Sequence, residues 1–412
     1  STAEAALAGS LANVIPIFWH LAGSTVLCTC VLGSRALPLL GSALGHAAQL
    51  PAPAAGGSPS GVDRGPMAEL QPLLLTLVEA LGAQQALLIE HAAQAVNCLL
   101  PPLASFLTSP RADVRLLALM SFSGICITLL NDAHIFDPMA EQPPEATYSL
   151  EALLCGRVLP ALPGLLADEP PAPSCAFRLL AALLSRGSAA AGNAVRTLGL
   201  APRLLAAMSG EQEVLTLHSA LLAHCLLQGR EVQVHDLDAA GVFDAVYAAL
   251  ADAAEPASLD FAMLDAALGI TEEALAQQLD VADGPDRMAR PPQALLADLG
   301  PLALSLPLLA GLCAPLAHAK LAPLLDRAAS CCQHLAGLVG RCCGSAGGLA
   351  ADDGPPPGSL PLDGALAILD ALSALARWRS AGTSGVGGQD PLLPRGVQRR
   401  LISVLSWAVV LE

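Results

Sequence analysis

The apolar positions between residues 158 and 283 repeat with a constant offset. The distance from Val158 to Leu200, and again from Leu200 to Val242, is 42 residues. Within each segment the apolar residues recur at the three- and four-residue spacing of a helix. The aligned apolar columns are Leu162, Leu204 and Val246; Leu166, Met208 and Leu250; Leu180, Leu222 and Leu264; and Leu184, Leu226 and Leu268. A helical pattern that repeats about every 40 residues is typical of armadillo and HEAT repeats.

The first copy predicts how each unit is built. A first helix starts near Val158 and stops at the proline-rich segment Asp168 to Pro173, because proline lacks a backbone donor. Ser174 is the predicted cap of a second helix, which Gly187 ends. A short third helix follows, and Gly199 breaks into the next copy. Three helices per copy is the armadillo layout, whereas HEAT repeats have two.

The sequence therefore predicts an all-α fold of the armadillo/HEAT α-solenoid type, in which neighbouring copies bury each other's apolar faces. The glycine- and proline-rich stretches divide the rest of the chain, because such stretches interrupt helices. The predicted parts are N-terminal helical repeats at 1–50, a flexible insert at 51–66, armadillo/HEAT repeats at 67–292 with regular copies at 158–199, 200–241 and 242–283, and C-terminal helical repeats at 293–412 with inserts near 344–361 and 380–394.

Helix boundaries outside the regular copies follow from the same signals. Asp113 precedes an apolar run and is expected to cap that helix or to favour its positive end. An insert is expected from Gly340 to Pro361. Two amphipathic helices are predicted after it, at 362–378 and 397–411.

Composition supports a helical core. Hydrophobic residues make up 54% of the chain but aromatic residues only 3%, so Leu, Ala and Val must form the interior. Such residues suit short packed helices better than a sheet, which favours aromatic and β-branched side chains. The net charge of −16 argues against a surface that follows nucleic-acid phosphates.

The segment from Leu11 to Leu32 contains 22 residues without a charged side chain, which is long enough to cross a membrane. Asn13, Pro16 and His20 lie inside it, and two helices broken near Gly23 explain it as well. We therefore expect no membrane span. The chain starts at Ser1 without a secretory signal pattern, so we expect it to be part of a longer cytoplasmic protein.

No catalytic motif stands out. Phosphate-binding loops, metalloprotease and nucleophile-elbow motifs, and the His-Arg-Asp and Asp-Phe-Gly triplets of kinases are absent from the sequence. Paired cysteines flank His334, at Cys331-Cys332 and Cys342-Cys343, and leave open a metal- or redox-active cysteine protein as the alternative. Adjacent cysteines on a helix point about 100° apart, so packing is the favoured interpretation. We expect no enzyme activity, no cofactor and no metal.

The remaining functional prediction is a protein-binding surface, because stacked repeats present a long face to extended partners. The polar residues near the starts of the second helices are the candidate contacts. They are Ser174, Arg178, His218, Asp260 and Asp265.

Three stretches resemble a known family. They are Arg157-Val-Leu-Pro-Ala-Leu-Pro-Gly-Leu-Leu-Ala-Asp with its continuation to Leu183, Asp113-Val-Arg-Leu-Leu-Ala-Leu-Met-Ser-Phe, and Leu198-Gly-Leu-Ala-Pro-Arg-Leu. Over roughly residues 99–270 the chain resembles the armadillo/HEAT region of the fourth unc-fifty-one-like kinase, called Runkel in plants. The tail of the Fused kinase is a second candidate.

This resemblance implies a regulatory tail that follows a degenerate kinase fold, a pseudokinase. It implies a scaffold in cilia, flagella or microtubule arrays, with a Fused-type kinase or axonemal and microtubule-associated proteins as partners and the cytoskeleton or axoneme as location. Another armadillo adaptor, unrelated to kinases, stays an alternative. No kinase residue carries over, because no kinase motif lies in the sequence.

Overall fold

The structure is a computed structural model. It describes residues 2–49, 66–209, 216–253, 260–284, 292–305, 308–309, 311–312, 316 and 321–345. These residues form helices joined by turns, and none of them lies in a strand. The predicted all-α class of armadillo/HEAT type is confirmed. The chain divides into two compact units, Ser1–Ala207 (unit 1) and Met208–Glu412 (unit 2).

Unit 1 contains two rows of helices. Its helices are α1 (Thr2–Ala22), α2 (Thr25–Ala48), α3 (Pro66–Gly82), α4 (Gln85–Glu90), α5 (Ala92–Gln94), α6 (Leu100–Phe106), α7 (Ala112–Asn131), α8 (Glu145–Leu153), α9 (Leu159–Leu165), α10 (Ala172–Leu184) and α11 (Ala189–Thr197), and α12 (Ala201–Ser209) begins in it. In the first row α1 packs on α3, α3 on α7, and α7 on α10. The second row runs from α2 through α6 to the region of α8 and α9. Such paired rows are the architecture of helical repeats.

Two widened turns lie in the second row. The segments Ala95–Leu99 and Leu154–Val158 are π-helical and lead directly into α6 and α9. Each is followed by Leu-Pro, with Pro101 or Pro160 as the second residue of the next helix. A proline ring collides with the carbonyl group four residues earlier in an α-helix. The wider turn removes this collision, so the helix continues in spite of the proline.

Glycines with positive φ mark the boundaries between the regular copies. Gly199 and Gly241 adopt φ values of +59° and +72°, which are unfavourable for other residues. Beyond α11, the Leu200 amide donates to the Val195 carbonyl oxygen at 3.0 Å, the bond of a glycine-terminated helix end. Arg157 occupies the same column one copy earlier, and there the chain passes through the π-helical turn without a break.

The third copy departs from the predicted three helices. The first copy contains α9, α10 and α11, and the second contains α12, α13 (Leu217–Gln228) and α14 (Val234–Ala239). In its described residues, 242–253 and 260–283, the third contains only α15 (Val242–Ala253) and the 23-residue α16 (Phe261–Asp283). Gly187 and Gly229 share a column with Thr271. Because Thr271 is buried inside α16 and is not a glycine, the helix continues through the position where the others end.

Unit 2 repeats the two-row arrangement. In addition to α13–α16, its described residues include α17 (Pro292–Ala297), a 3₁₀ helix (Gly300–Leu304) and α18 (Ala322–Ser345). One row consists of α13 packed on α16 and α16 packed on α18. On the other side α15 contacts α16 and the 3₁₀ helix. The predicted core columns are buried in both units, except that Leu166 and Leu184 are half-buried.

The predicted cap of α10 is wrong, and Asp113 favours the positive end of α7 without capping it. Ser174 does not cap α10, because that helix starts at Ala172 with Pro173 in its first turn, and Ser174 lies inside it. Proline fits there because the first amide groups of a helix have no internal partner. Asp113 lies in the first turn of α7, where the cap position belongs to Arg111. Its carboxylate pairs with Arg111 and contributes to the favourable charge at that helix end.

The C-terminal boundary also differs from the prediction. The insert was expected to start at Gly340, but α18 continues to Ser345. A glycine in a helix interior is tolerated at a cost of about 1 kcal/mol relative to alanine. The predicted helices at 362–378 and 397–411, and the inserts at 51–66 and 380–394, lie outside or almost outside the described residues.

The apolar N-terminal segment is broken as predicted. Helix α1 ends at Ala22 and α2 begins at Thr25, so Leu11 to Leu32 is not one continuous helix. Among the described residues one helix, α7, is long and apolar enough to cross a membrane by length and composition. More than half of its apolar window, 56%, is buried inside the protein, as expected for the central helix of a packed row.

The backbone conformation of Arg230 allows a test of what stabilises the end of α13. It follows α13 with φ +56°, and the next amide, of Glu231, donates to the Leu226 carbonyl oxygen at 2.9 Å. A side chain in this left-handed conformation is strained, whereas glycine is not. We expect Arg230→Gly to raise the free energy of unfolding by about 0.5–1 kcal/mol in urea titrations.

Arg230→Ala is the control for this substitution. It retains the strain and removes the exposed ion pair with Asp280, whose nearest atoms are 3.7 Å apart. Pairs of this kind contribute little to stability. The alanine variant should therefore match the native protein or be slightly less stable. If Arg230→Gly destabilises the chain, backbone strain at this helix end is not the controlling factor.

Candidate protein-interaction surfaces

The outward side of α7 in unit 1 has a largely apolar middle between polar ends. The residues of α7 that are not buried recur at helical spacing and therefore form one stripe. It contains exposed Asp113 and Asn131 at its ends and half-buried Leu116, Leu117, Met120, Gly124, Ile127 and Thr128 between them. An added Cβ at Gly124 would meet no atom within 4 Å, so the middle of the stripe is open. We call this set the α7 stripe.

Helices α7 and α10 run in the same direction. Near the start of α7, Arg115 donates through Nε to Asp168 Oδ2 at 2.8 Å, four residues before α10 begins. At the end of α7, Asn131 Oδ1 accepts from Arg186 Nη2 at 3.1 Å, just after α10 ends. The starts of the two helices therefore lie side by side, and so do their ends. The Arg115–Asp168 pair is largely buried, and such charge-assisted bonds fix geometry well.

On the other side of α7 lies α3. The Ser121 hydroxyl of α7 donates to the Leu75 carbonyl oxygen of α3 at 3.3 Å. The outward residues of α3 include exposed Leu73 and half-buried Thr76 and Glu79. Unit 1 thus presents three adjacent helices with an apolar centre.

Two of the predicted contact residues lie on α10 of this surface. Ser174 is half-buried in the first turn, and Arg178 is exposed one turn later on the same side of the helix. Among the described residues no carboxylate forms an ion pair with Arg178 or with Arg186. Their role in binding stays a prediction.

The other three predicted contacts lie in unit 2. His218 is half-buried in the first turn of α13. Asp260 caps α16, because its Oδ1 accepts from the amides of Ala262 and Met263 at 3.1 and 3.2 Å. Asp265 is half-buried one turn into α16. Asp260 therefore has a local structural function, and the structure brings Asp265 into a charged cluster.

Arg327 of α18 organises this cluster. Its Nη1 donates to Asp265 Oδ1 at 2.9 Å and to the Asp265 carbonyl oxygen at 3.2 Å. Its Nε lies 4.0 Å from Glu272 Oε2. Sequence reasoning missed Arg327, because it lies 62 residues from Asp265 and no local pattern connects them. The accessible residues of α16 include Asp265, Glu272, Glu273 and Asp280 beside apolar Phe261 and Val281.

His224 of α13 lies beside the cluster. Its ring fills the space over Gly269, where an added Cβ would come within 2.9 Å of the imidazole. Burial lowers the pKa of His224, and Arg327 adds to this effect, while Asp265, Glu272 and Glu273 oppose it. The neutral imidazole is therefore favoured in the folded chain. Its packing on Gly269 indicates a structural function in the contact between α13 and α16.

Four of the described cysteines have thiols that ionise less readily than a free thiol. Burial raises the pKa of the Cys155 and Cys225 thiols to about 11, and raises those of Cys126 and Cys175 as well. Thiols with raised pKa values are poor nucleophiles and poor metal ligands. In the part of the chain that the structure describes, no group of three or more His, Cys, Asp or Glu residues could hold a metal.

Cys331 and Cys332 are buried in α18, and the Cys331 thiol donates to the Leu268 carbonyl oxygen at 3.6 Å. The side chains of Cys342 and Cys343 lie outside the described set, so the pairing of the four cysteines is untested.

The α7 stripe was not predicted from the sequence. Its signal is present, since α7 carries apolar residues on every side, which is more than one buried face requires. The prediction considered only polar residues at helix starts as contacts, and it therefore passed over Met120 and Ile127.

Paired rows of short helices define this chain as a helical-repeat protein of the armadillo/HEAT type. Residues 1–191 match the family model described as "Serine/threonine-protein kinase ULK4-like, HEAT repeats". This match supports a ULK4-like HEAT-repeat region in that part of the chain, in agreement with the resemblance seen in the sequence. A comparison with curated proteins found no match.

Proposed function

We propose that this chain is a non-catalytic protein-interaction scaffold that forms the regulatory part of a kinase-like protein. In this proposal a pseudokinase domain belongs to the same full-length protein. The chain acts in the assembly of cilia, flagella or microtubule arrays, in the cytoplasm and at the axoneme. The match of residues 1–191 to ULK4-like HEAT repeats is the observation that carries the proposal.

Physical features support a function in binding. Helical repeats expose continuous surfaces and commonly mediate protein contacts. Direct attachment to microtubules is disfavoured, because the microtubule surface is acidic and this chain has a net charge of −16. Attachment would therefore use a basic or neutral partner, such as a Fused-type kinase or an axonemal protein, or another part of the full-length protein.

A pull-down from ciliated cells beside a pelleting assay with bare microtubules tests this proposal. We expect the chain to recover a Fused-type kinase or axonemal proteins and to stay in the supernatant when microtubules are pelleted. Direct pelleting with bare microtubules, or a partner set composed of metabolic enzymes, would contradict the proposal.

A further inference from the structure

We propose that the α7 stripe and the adjacent face of α10 form a docking groove for an amphipathic protein segment that carries apolar residues and an acidic edge. The inference rests on the proposed scaffold function and deepens it, because it specifies the surface in unit 1 and the chemistry of the partner.

The floor of the groove determines the apolar side of the partner. Leu116, Met120 and Ile127 follow one another at helical spacing on α7, and all are partly accessible to solvent. Gly124 lies between Met120 and Ile127 with open space above it. A complementary helix can therefore approach closely at this point, and its apolar residues at three- and four-residue spacing would cover the stripe. Docking of an amphipathic helix on an apolar groove is a common mode of recognition.

The α10 edge determines the charge of the partner. Arg178 lies in α10 and Arg186 just after it, and the segment 170–188 contains no Asp or Glu, although the whole chain has a net charge of −16. Arg178 is exposed on α10, and Arg186 reaches the end of the α7 stripe through Asn131. Neither forms an ion pair with a described carboxylate. A partner with carboxylates along one edge would pair with these guanidinium groups.

The groove is held rigidly, which favours recognition. The Arg115–Asp168 pair and the Asn131–Arg186 bond fix α7 against α10 at both ends. The Ser121–Leu75 bond joins α7 to α3. A preformed surface loses little conformational entropy when a partner binds.

The test uses the 412-residue chain and three labelled synthetic peptides of about 18 residues, five helical turns each. The first is an amphipathic Leu/Glu helix, the second has the same composition in scrambled order, and the third replaces each Glu with Lys. Fluorescence anisotropy measures binding. We expect the amphipathic acidic peptide to bind at least about tenfold more tightly than the other two, with an affinity that falls as salt is added.

Substitutions locate the binding on the surface. We expect Met120→Glu and Arg178→Glu each to weaken binding about tenfold or more. Met120→Glu places a carboxylate against the apolar face of the peptide, and Arg178→Glu places one against its acidic edge. Matched controls are Tyr148→Glu and Arg157→Glu, which alter exposed residues of α8 and of the π-helical turn before α9, in the second row of unit 1. The controls should bind normally. Gly124→Leu fills the open position and should also weaken binding. Because leucine is a good helix former, α7 itself should stay folded.

Several outcomes overturn the inference. These are preferential binding of the lysine peptide, equal binding of the scrambled peptide, absence of saturable binding, and normal binding by Met120→Glu, Arg178→Glu and Gly124→Leu. Flotation with phosphatidylcholine vesicles through these same residues would assign the stripe to a membrane instead.

The two proposals can fail separately. If the pull-down recovers axonemal proteins equally well with Met120→Glu and Arg178→Glu, the scaffold function stands and this groove is wrong. If the acidic peptide binds as expected but no ciliary partner is recovered, the groove stands and the cellular function is wrong.

Discussion

Truncation of Leu180 or Leu222 to alanine is expected to lower the free energy of unfolding by about 2–5 kcal/mol. The two residues occupy the same column of the 42-residue pattern, one in α10 and one in α13, and their exposed fractions are 1% and 0%. Each truncation removes buried methyl groups and leaves a cavity that the neighbouring helices can only partly fill. Urea unfolding followed by circular dichroism measures the change.

Leu198→Ala is the control for this pair. Leu198 lies just before Gly199 with 42% of its surface exposed, so its truncation should cost far less. If Leu180→Ala and Leu222→Ala leave the unfolding midpoint unchanged, the register assigned to the repeats is wrong.

Two glycines of the same helix are expected to respond to alanine in opposite directions. Gly41 of α2 is buried against the π-helical turn at Ala95–Leu99, and a Cβ there would lie 2.2 Å from the Cys98 carbonyl oxygen. Backbone cannot move aside as a side-chain end can, so α2 and the turn must separate. We expect Gly41→Ala to destabilise the chain by about 1–3 kcal/mol, as overpacking does.

Gly45 lies one helical turn further along α2, and a Cβ there would meet no atom within 4 Å. Alanine is the better helix former, so Gly45→Ala should stabilise the chain by about 0.5–1 kcal/mol. Thermal and urea unfolding of both variants provide the comparison. Stabilisation by both substitutions would show that the close approach of α2 to Cys98 does not exist in solution.

Polar residue types alone predict an interaction surface only in part. Of the predicted contacts, Asp260 instead caps α16, and Asp265 forms an ion pair with Arg327. The groove proposed on unit 1 instead combines an apolar floor on α7 with Arg178 on α10 and Arg186 just after it. A search for polar residues therefore finds only the edge of the groove, at Ser174 and Arg178.

The sequence by itself determined the helical class, the 42-residue period and the core columns such as Leu180 and Leu222. These properties follow from the spacing of apolar residues along a helix, which is a local property of the chain. Gly199 and Gly241 also marked real breaks, because their left-handed backbone is a conformation that glycine adopts without strain.

Contacts between distant segments were decided only by the tertiary structure. The pairs Arg115–Asp168 and Asp265–Arg327 join residues 53 and 62 positions apart, and the Gly41–Cys98 approach joins two helices of the second row. The physical reason is that helix periodicity indicates which face of a helix is buried, whereas the partner of that face is chosen by packing between helices that lie far apart in the sequence.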